Sequence, residues 1–262
     1  MSGTSVLGKA WNWAMENKLK ALVLAGGAAG TAVVGAFAGL WAYGLKYNLT
    51  DEDRALHLPG DELMRDTEPK SIHIGEAIDI DATPEQVWPY LAQMGTRKAG
   101  WYSFSWLERL FSFHIFNTFS IVPEWQDIKP GDYLFYHQCG IGSEVKSVKI
   151  NEYITSKSDT REPSEYPGAI PFTLPIGLEH FAWTWNFNLV EKPDGNTRLV
   201  TTCDVSYAPD NGWRKAVVTL LLGTPSFVMI RAFLETIKGL SEGKINPEGY
   251  LNSVLRFITQ WS

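Results

Sequence analysis

The side chains that could move protons in an apolar setting are Glu76, Glu108, Glu124, His114 and His180. A single Glu, His or Tyr enclosed by hydrophobic neighbours has a shifted pKa and can act as general acid or base on a bound substrate. Glu108 and His180 are the two catalytic candidates on this reading. Glu108 and Glu124 read equally well as surface carboxylates or as partners of Arg109 and backbone amides, Glu76 as a group at an exposed sheet edge, and a lone His as structural. His57, His73, His114, His137 and His180 are scattered, and only His137-Gln138-Cys139 brings two ligand types close together. On an extended strand those two side chains share a face, but zinc takes three or four ligands, so no metal is expected. The sequence holds no Gly-x-Ser-x-Gly elbow, phosphate loop or dinucleotide fingerprint, so nucleophilic and nucleotide chemistry have no support and no cofactor is expected.

Several elements must position these groups. Residues 71–81 read as a strand, with Ile72, Ile74, Ile78 and Ile80 on one face and Glu76 as the exception on it. Thr83 suits a helix N-cap, Pro84 the first helical position, and Gln86 the reciprocal capping partner. Pro89 interrupts the hydrogen-bond ladder and Gly95 is placed to end the helix. A second, aromatic helix is expected over the Ala-Gly-Trp-Tyr-Ser-Phe-Ser-Trp-Leu-Glu-Arg-Leu stretch.

This block, Ala-Thr-Pro-Glu-Gln-Val-Trp-Pro-Tyr-Leu-Ala-Gln-Met-Gly through that aromatic stretch to Ile-Val-Pro-Glu-Trp-Gln and Gly131-Asp132, resembles the START-like (SRPBCC) superfamily. Its relatives there are Bet v 1-like proteins, polyketide cyclases and lipid-transport domains, and in particular bacterial membrane-anchored members. The resemblance runs from about residue 51 to residue 243. It implies an α+β, helix-grip fold: a curved antiparallel sheet wrapped around a long C-terminal helix, enclosing an internal apolar cavity. Carriers, cyclases and ligand sensors share this pattern, so it specifies fold better than function.

The composition agrees with a domain of this size. A chain of 262 residues with 45% apolar content can bury a real core, and its net charge of -6 argues against a nucleic-acid surface. Eleven Trp, ten Tyr and thirteen Phe fit ordinary core packing or a roomy apolar pocket.

Residues 21–45 are 25 consecutive uncharged residues between Lys20 and Lys46. As a helix they span about 38 Å, enough to cross a hydrocarbon core of about 30 Å. No convincing cleavage site follows, so the stretch reads as an uncleaved transmembrane anchor, with Trp41 and Tyr43 near its far interface. Lys9, Lys18 and Lys20 before it outnumber Lys46 and Arg54 after it, which favours a cytoplasmic N-terminus and a folded domain outside the cytoplasm. Gly27, Thr31, Gly35 and Gly39 form a small-residue stripe that fits a homodimer through this helix. Eight Ala and six Gly in the stretch would produce such spacings without one. An oxidising compartment would permit a disulfide between Cys139 and Cys203, both on expected strands; two buried reduced thiols are the simpler reading.

Further along, residues 133–136 and 144–153 read as strands, and 155–179, with four prolines, as a long loop. Phe181, Trp183, Trp185, Phe187 and Leu189 alternate, giving one aromatic row on a strand face. Lys192-Pro193-Asp194-Gly195-Asn196 then turns the chain into a strand over 197–207. Residues 213–222 read as a helix that packs inside or dips into the bilayer. Gly223-Thr224-Pro225 should break and restart the chain, and Phe227, Ile230, Phe233, Leu234, Ile237 and Leu240 share a face of the helix that follows.

The organisation expected is therefore 1–20 cytoplasmic, 21–45 transmembrane, 46–69 linker, 70–243 ligand-binding domain and 244–262 a C-terminal amphipathic helix. The leading expectation is a membrane-anchored protein holding a lipid or other hydrophobic small molecule, with Trp88, Trp101, Trp106, Trp125, Trp183, Trp185, Phe227 and Phe233 lining the cavity. A cyclase-like enzyme using the same cavity and a protein-interaction module are the competing classes.

Overall fold

The computed structural model describes residues 49–64, 72–104, 112 and 114–247, together with Gly35 and Gly39, which are helical. The expected anchor over 21–45 otherwise lies outside the described residues, as do Trp106, Glu108 and the expected C-terminal helix beyond 247.

Seven strands form one sheet in the order β1-β7-β6-β4-β3-β2, with the short β5 paired to β3. The strands are β1 (Ile72–Ile80), β2 (Tyr133–Phe135), β3 (Ile141–Lys149), β4 (Tyr153–Asp159), β5 (Ile170–Pro171), β6 (His180–Glu191) and β7 (Thr197–Ala208). All pairings are antiparallel except β3 with β5. The central hairpin closes as its sequence requires: Gly195 takes a φ of 79°, and Lys192 N–H bonds the Asn196 carbonyl at 2.8 Å.

Four described α-helices accompany the sheet: α1 (Asp51–Ala55), α2 (Pro84–Ala92), α3 (Gly212–Val218) and α4 (Thr224–Ser241). In α2, Thr83 and Gln86 form the expected capping box, and Pro89 is accommodated inside the helix. The helix ends at Ala92, and Gly95, at φ 117°, serves a small turn that bridges back to Gly100. The Gly223-Thr224-Pro225 break does not occur. A single π turn over Thr219–Gly223 joins α3 to α4 and makes one run, Gly212–Ser241. A π turn shifts the ladder to i→i+5 bonds without ending the helix. This run is long and apolar enough to cross a membrane. Its packing on β1 and α2, with Phe227, Ile230, Phe233, Leu234, Ile237 and Leu240 all buried, is that of a core helix gripped by the sheet.

Four further expectations change. The strand expected over 144–153 is the end of β3, a turn at Asn151 with φ 65°, and the start of β4. The loop expected from 155 starts only after Asp159 and includes β5. Residues 101–104 are not helical; Tyr102 sits at φ 52° with its N–H on the Asn117 side chain at 3.0 Å. Cys139 is in the β2–β3 turn rather than on a strand, and both cysteines are free thiols.

Residues 49–64, read above as linker, pack on the outer face of the sheet. Leu49 lies over Gly75, where a Cβ would meet its Cδ1 at 2.5 Å. Thr50 caps α1 in a capping box with Asp53, and both carboxylate oxygens of Asp53 accept from Arg198 on β7 at 2.6 and 2.7 Å. Gly60, at φ 104°, presses against Asn186 on β6, within 2.4 Å of where its Cβ would be.

Candidate functional site: the inner face of the grip

The inner face of the sheet carries the even residues of β1 and the odd residues of β6 and β7. Glu76 opposes Thr201, Thr201 opposes Phe187, and Phe187 opposes Ile154 on β4. Phe187 in turn meets Phe233 of α4 at 5.5 Å between ring centroids, which places this row under the helix. Glu76 is fully buried, and neither of its carboxyl oxygens has a hydrogen-bond partner. β1 is an edge strand, yet the side chain points inward, so the reading as an exposed edge group is corrected. Burial pushes its pKa up to about 8, against the opposing pull of the Arg231 guanidinium on α4. The carboxyl is therefore protonated at neutral pH, and it is a donor rather than a charge.

Its surroundings are aromatic and hydrophobic with a few satisfied hydroxyls. Trp101 stacks on Trp185 at 4.8 Å, Trp185 meets Phe187 at 5.1 Å, and Tyr136 lies 5.3 Å from Trp101. Trp185 Nε1 donates to Thr201 Oγ1 at 2.9 Å, and the Tyr136 hydroxyl donates to Ser143 Oγ at 2.7 Å. Burial, then the negative charge of Asp204 and, once it ionises above about pH 8, that of Glu76, hold the Cys203 thiol well above its ordinary pKa. Burial likewise raises Tyr136. The loop bearing Trp101 is fixed by the buried Gln93 amide, which donates to the Tyr102 hydroxyl at 2.8 Å and to the Ser120 carbonyl at 3.0 Å.

Of the expected wall residues, Trp101, Trp183, Trp185 and Phe233 belong to this connected set of rings. Trp88 on α2 and Phe227 on α4 are buried in the same apolar cluster, while Trp125 is half-buried at its margin. Under α4, where the resemblance implies an internal cavity, the rings of Trp101, Trp185, Phe187 and Phe233 form a chain of contacts. A hollow of about 390 Å³ does exist, but it is an open surface cleft beside Ile150, Glu152 and Glu191.

The acid-base candidates are dispersed. His114 and Glu124 are exposed. His180 begins β6 opposite Ala208, on the even positions that face away from the aromatic row. Ala208 and Thr201 are seven residues apart along β7, roughly 23 Å at about 3.3 Å per residue, so His180 does not serve Glu76. His137 and Cys139 do meet, Nδ1 to Sγ at 3.0 Å, inside the β2–β3 turn. His137 Nε2 bonds the Ser112 carbonyl at 2.9 Å, and its Nδ1 accepts the Cys139 backbone N–H at 3.1 Å, which makes the pair a turn-closing device. No cluster of three or more metal-ligand side chains occurs among the described residues. The residue underrated by sequence was Glu76; its signal was the single carboxylate in an isoleucine alternation.

No protein family and no curated protein matches the sequence. Among solved structures, a protein from Mesorhizobium loti shares 17% identity over 67% of this chain and 100% of its own, with a TM-score of 0.34. Truncated norcoclaurine synthase from Thalictrum flavum shares 14% identity over 64% of this chain and 92% of its own, at 0.36. The di-domain ARO/CYC BexL from the BE-7585A biosynthetic pathway shares 14% over 66% of this chain and 49% of its own, at 0.30. Superpositions this loose carry no argument, and the fold stands on the chain's own strand order: an α+β grip of one sheet, antiparallel except for the β3–β5 pair, around the α4 helix.

Proposed function

We propose that this protein binds a lipid or other apolar small molecule between the sheet and α4, and that the Glu76 carboxyl donates a hydrogen bond to the ligand's polar atom. The observation that carries this reading is Glu76 itself, a buried carboxyl with no hydrogen-bond partner among aromatic rings and hydroxyls. Buried polar groups are nearly always satisfied, and one that is not costs about 1 to 3 kcal/mol. A ligand acceptor would satisfy it, and a neutral carboxylic acid in an apolar site is suited to that role. Acid-base catalysis would also need a base, whereas Arg231 acts on Glu76 as a cation, and Cys203 and, through it, Tyr136 are held protonated. The ligand enters by parting the Trp101 and Trp185 rings or by displacing α4, since these fill the space now. With residues 21–45 as a membrane anchor, the grip would take its ligand from the bilayer beside it.

The test is a titration of the full chain in lipid nanodiscs with a neutral apolar ketone dye, with empty nanodiscs as blank. Saturable binding should weaken about tenfold or more between pH 6 and pH 9 as Glu76 ionises, since losing a buried donor and exposing a charge to an apolar ligand is worth at least about 1.4 kcal/mol. Glu76→Gln, which keeps a donor and cannot ionise, should bind with no such pH dependence. Absence of saturable binding, or an unchanged pH dependence in Glu76→Gln, overturns the reading.

A further inference from the structure

Glu76 lies at the seam between the edge strand and the gripped helix. Lys238 Nζ donates to the Asp79 carbonyl, and the Asp81 N–H donates to Glu242 Oε1 at 2.8 Å, so α4 and β1 run side by side in the same direction. Arg231 precedes Lys238 by seven residues, two turns or about 10 Å back along the same side of α4. Three residues of strand also span about 10 Å, and they lead from Asp79 back to Glu76. Phe233 fixes the same level independently, since it meets Phe187 in the cross-strand row that begins with Glu76. Arg231 therefore stands beside Glu76 where α4 meets β1, and its charge acts on the Glu76 carboxyl without a hydrogen bond to it.

The two side chains are complementary halves of one receptor. Glu76, neutral at pH 7, presents an O–H that nothing accepts. The Arg231 side chain is 15% exposed and bonded to Glu235, one turn on, whose carboxylate is 53% exposed. A single i,i+4 contact with a solvated partner is a weak tie, and a guanidinium carries five N–H donors. A neutral donor beside one cation suits a head group with two oxygens and one negative charge, one oxygen accepting from each side chain. Ile230 and Leu234, both buried, flank Arg231 on α4, so the head must be small and the rest of the ligand apolar.

We propose that the ligand is a long-chain carboxylic acid, held as its carboxylate between the Glu76 hydroxyl and the Arg231 guanidinium, with its chain along Phe187 and Phe233. Arg231 balances the ligand's charge, and Glu235 turns to solvent. This rests on the proposed function and names the class of ligand that the same site takes.

The probes are cis-parinaric acid and its methyl ester, titrated at pH 7 into the full chain in nanodiscs and read by energy transfer from tryptophan. The ester keeps the chain and a carbonyl for Glu76 but has no charge. Corrected for partition into empty nanodiscs, the acid should bind at least about tenfold tighter than the ester, as expected for an added bond to a charged group. Arg231→Gln should bring that preference below about threefold, Arg231→Lys should keep part of it, and Glu235→Gln should enlarge it. An ester bound as tightly as the acid by the wild type, or a preference unchanged in Arg231→Gln, overturns the proposal. Equal loss of both probes in Arg231→Gln overturns it too, because Arg231 would then act in packing alone. Where the ester binds and the acid is not preferred, only this proposal falls; where neither binds saturably, the proposed function falls with it.

Discussion

Two carboxylates are buried on opposite faces of one sheet, and their chemistry is opposite. On the outer face Asp53 is 3% exposed, receives two hydrogen bonds from Arg198, and closes a capping box with Thr50. Burial alone would raise its pKa, but the bonds from Arg198 and Thr50 outweigh it and hold the group at about 2. On the inner face Glu76 has burial without bonds and is pushed up to about 8. Burial does not set the charge of a carboxyl; the donors supplied with it do. The outer face is thus organised as structure, a strap of residues 49–64 latched by a complete ion pair. The inner face retains an unspent donor, which is the arrangement expected of a site.

The largest effect should come from breaking the latch. Asp53→Ala leaves Arg198 without its bidentate partner and should cost about 3 kcal/mol in urea unfolding, as loss of one member of a buried pair does. The double variant with Arg198→Met should cost clearly less than the sum of the two single changes. Full additivity would mean that the pair does not hold the strap.

Glu76→Gln comes next, and its sign is opposite. The folded pKa of about 8 lies above the ordinary 4.5, so the folded state binds the proton more tightly. The stability this provides is complete below pH 4.5 and is lost as pH rises through about 8. The wild type should therefore lose stability by up to about 1.4 kcal/mol per pH unit across that window, and Glu76→Gln should remove the slope. At pH 8 the variant should be the more stable of the two, measured by urea midpoints from pH 4 to 9. A slope that persists in the variant would place the titrating group elsewhere. Asp53 predicts the reverse at the acid end, with stability present above pH 3.8 and lost as pH falls through about 2.

A smaller change sharpens the same comparison. Gly60→Ala adds a Cβ at φ 104° against Asn186 and should destabilise the strap by about 1 to 2 kcal/mol. Hydrogen exchange should then speed up at 49–64 while the inner face keeps its protection. Loss of protection on both faces would show that the strap holds up the grip itself.

Much of the fold was legible because it is written in local patterns. The β1 alternation, the Thr83 to Gln86 capping box, the aromatic period of β6 and the Pro-Asp-Gly turn each depend on residues within a few positions of one another. The apolar face of α4 was legible for the same reason. The continuity of α3 into α4 was not, because Gly223, Thr224 and Pro225 carry stop signals that the packing of the π turn and α4 against β1 overrides. The strap was missed as well, since a short acidic segment shows no periodicity and its order comes from Arg198, 145 positions later.

For the site, the sequence by itself determined an aromatic sheet face, a greasy C-terminal helix, and one glutamate out of pattern among isoleucines. Only the tertiary structure decided which carboxyl mattered. Glu76 and Asp53 are the same chemistry in sequence, and what separates them is the presence or absence of a donor brought from a distant strand. It also decided that His180 faces away from the grip and that the rings of Trp101 and Trp185 stack on each other beneath it. Period-2 alternation fixes which residues share a face, but whether that face encloses a void depends on how side chains from separate elements meet across it.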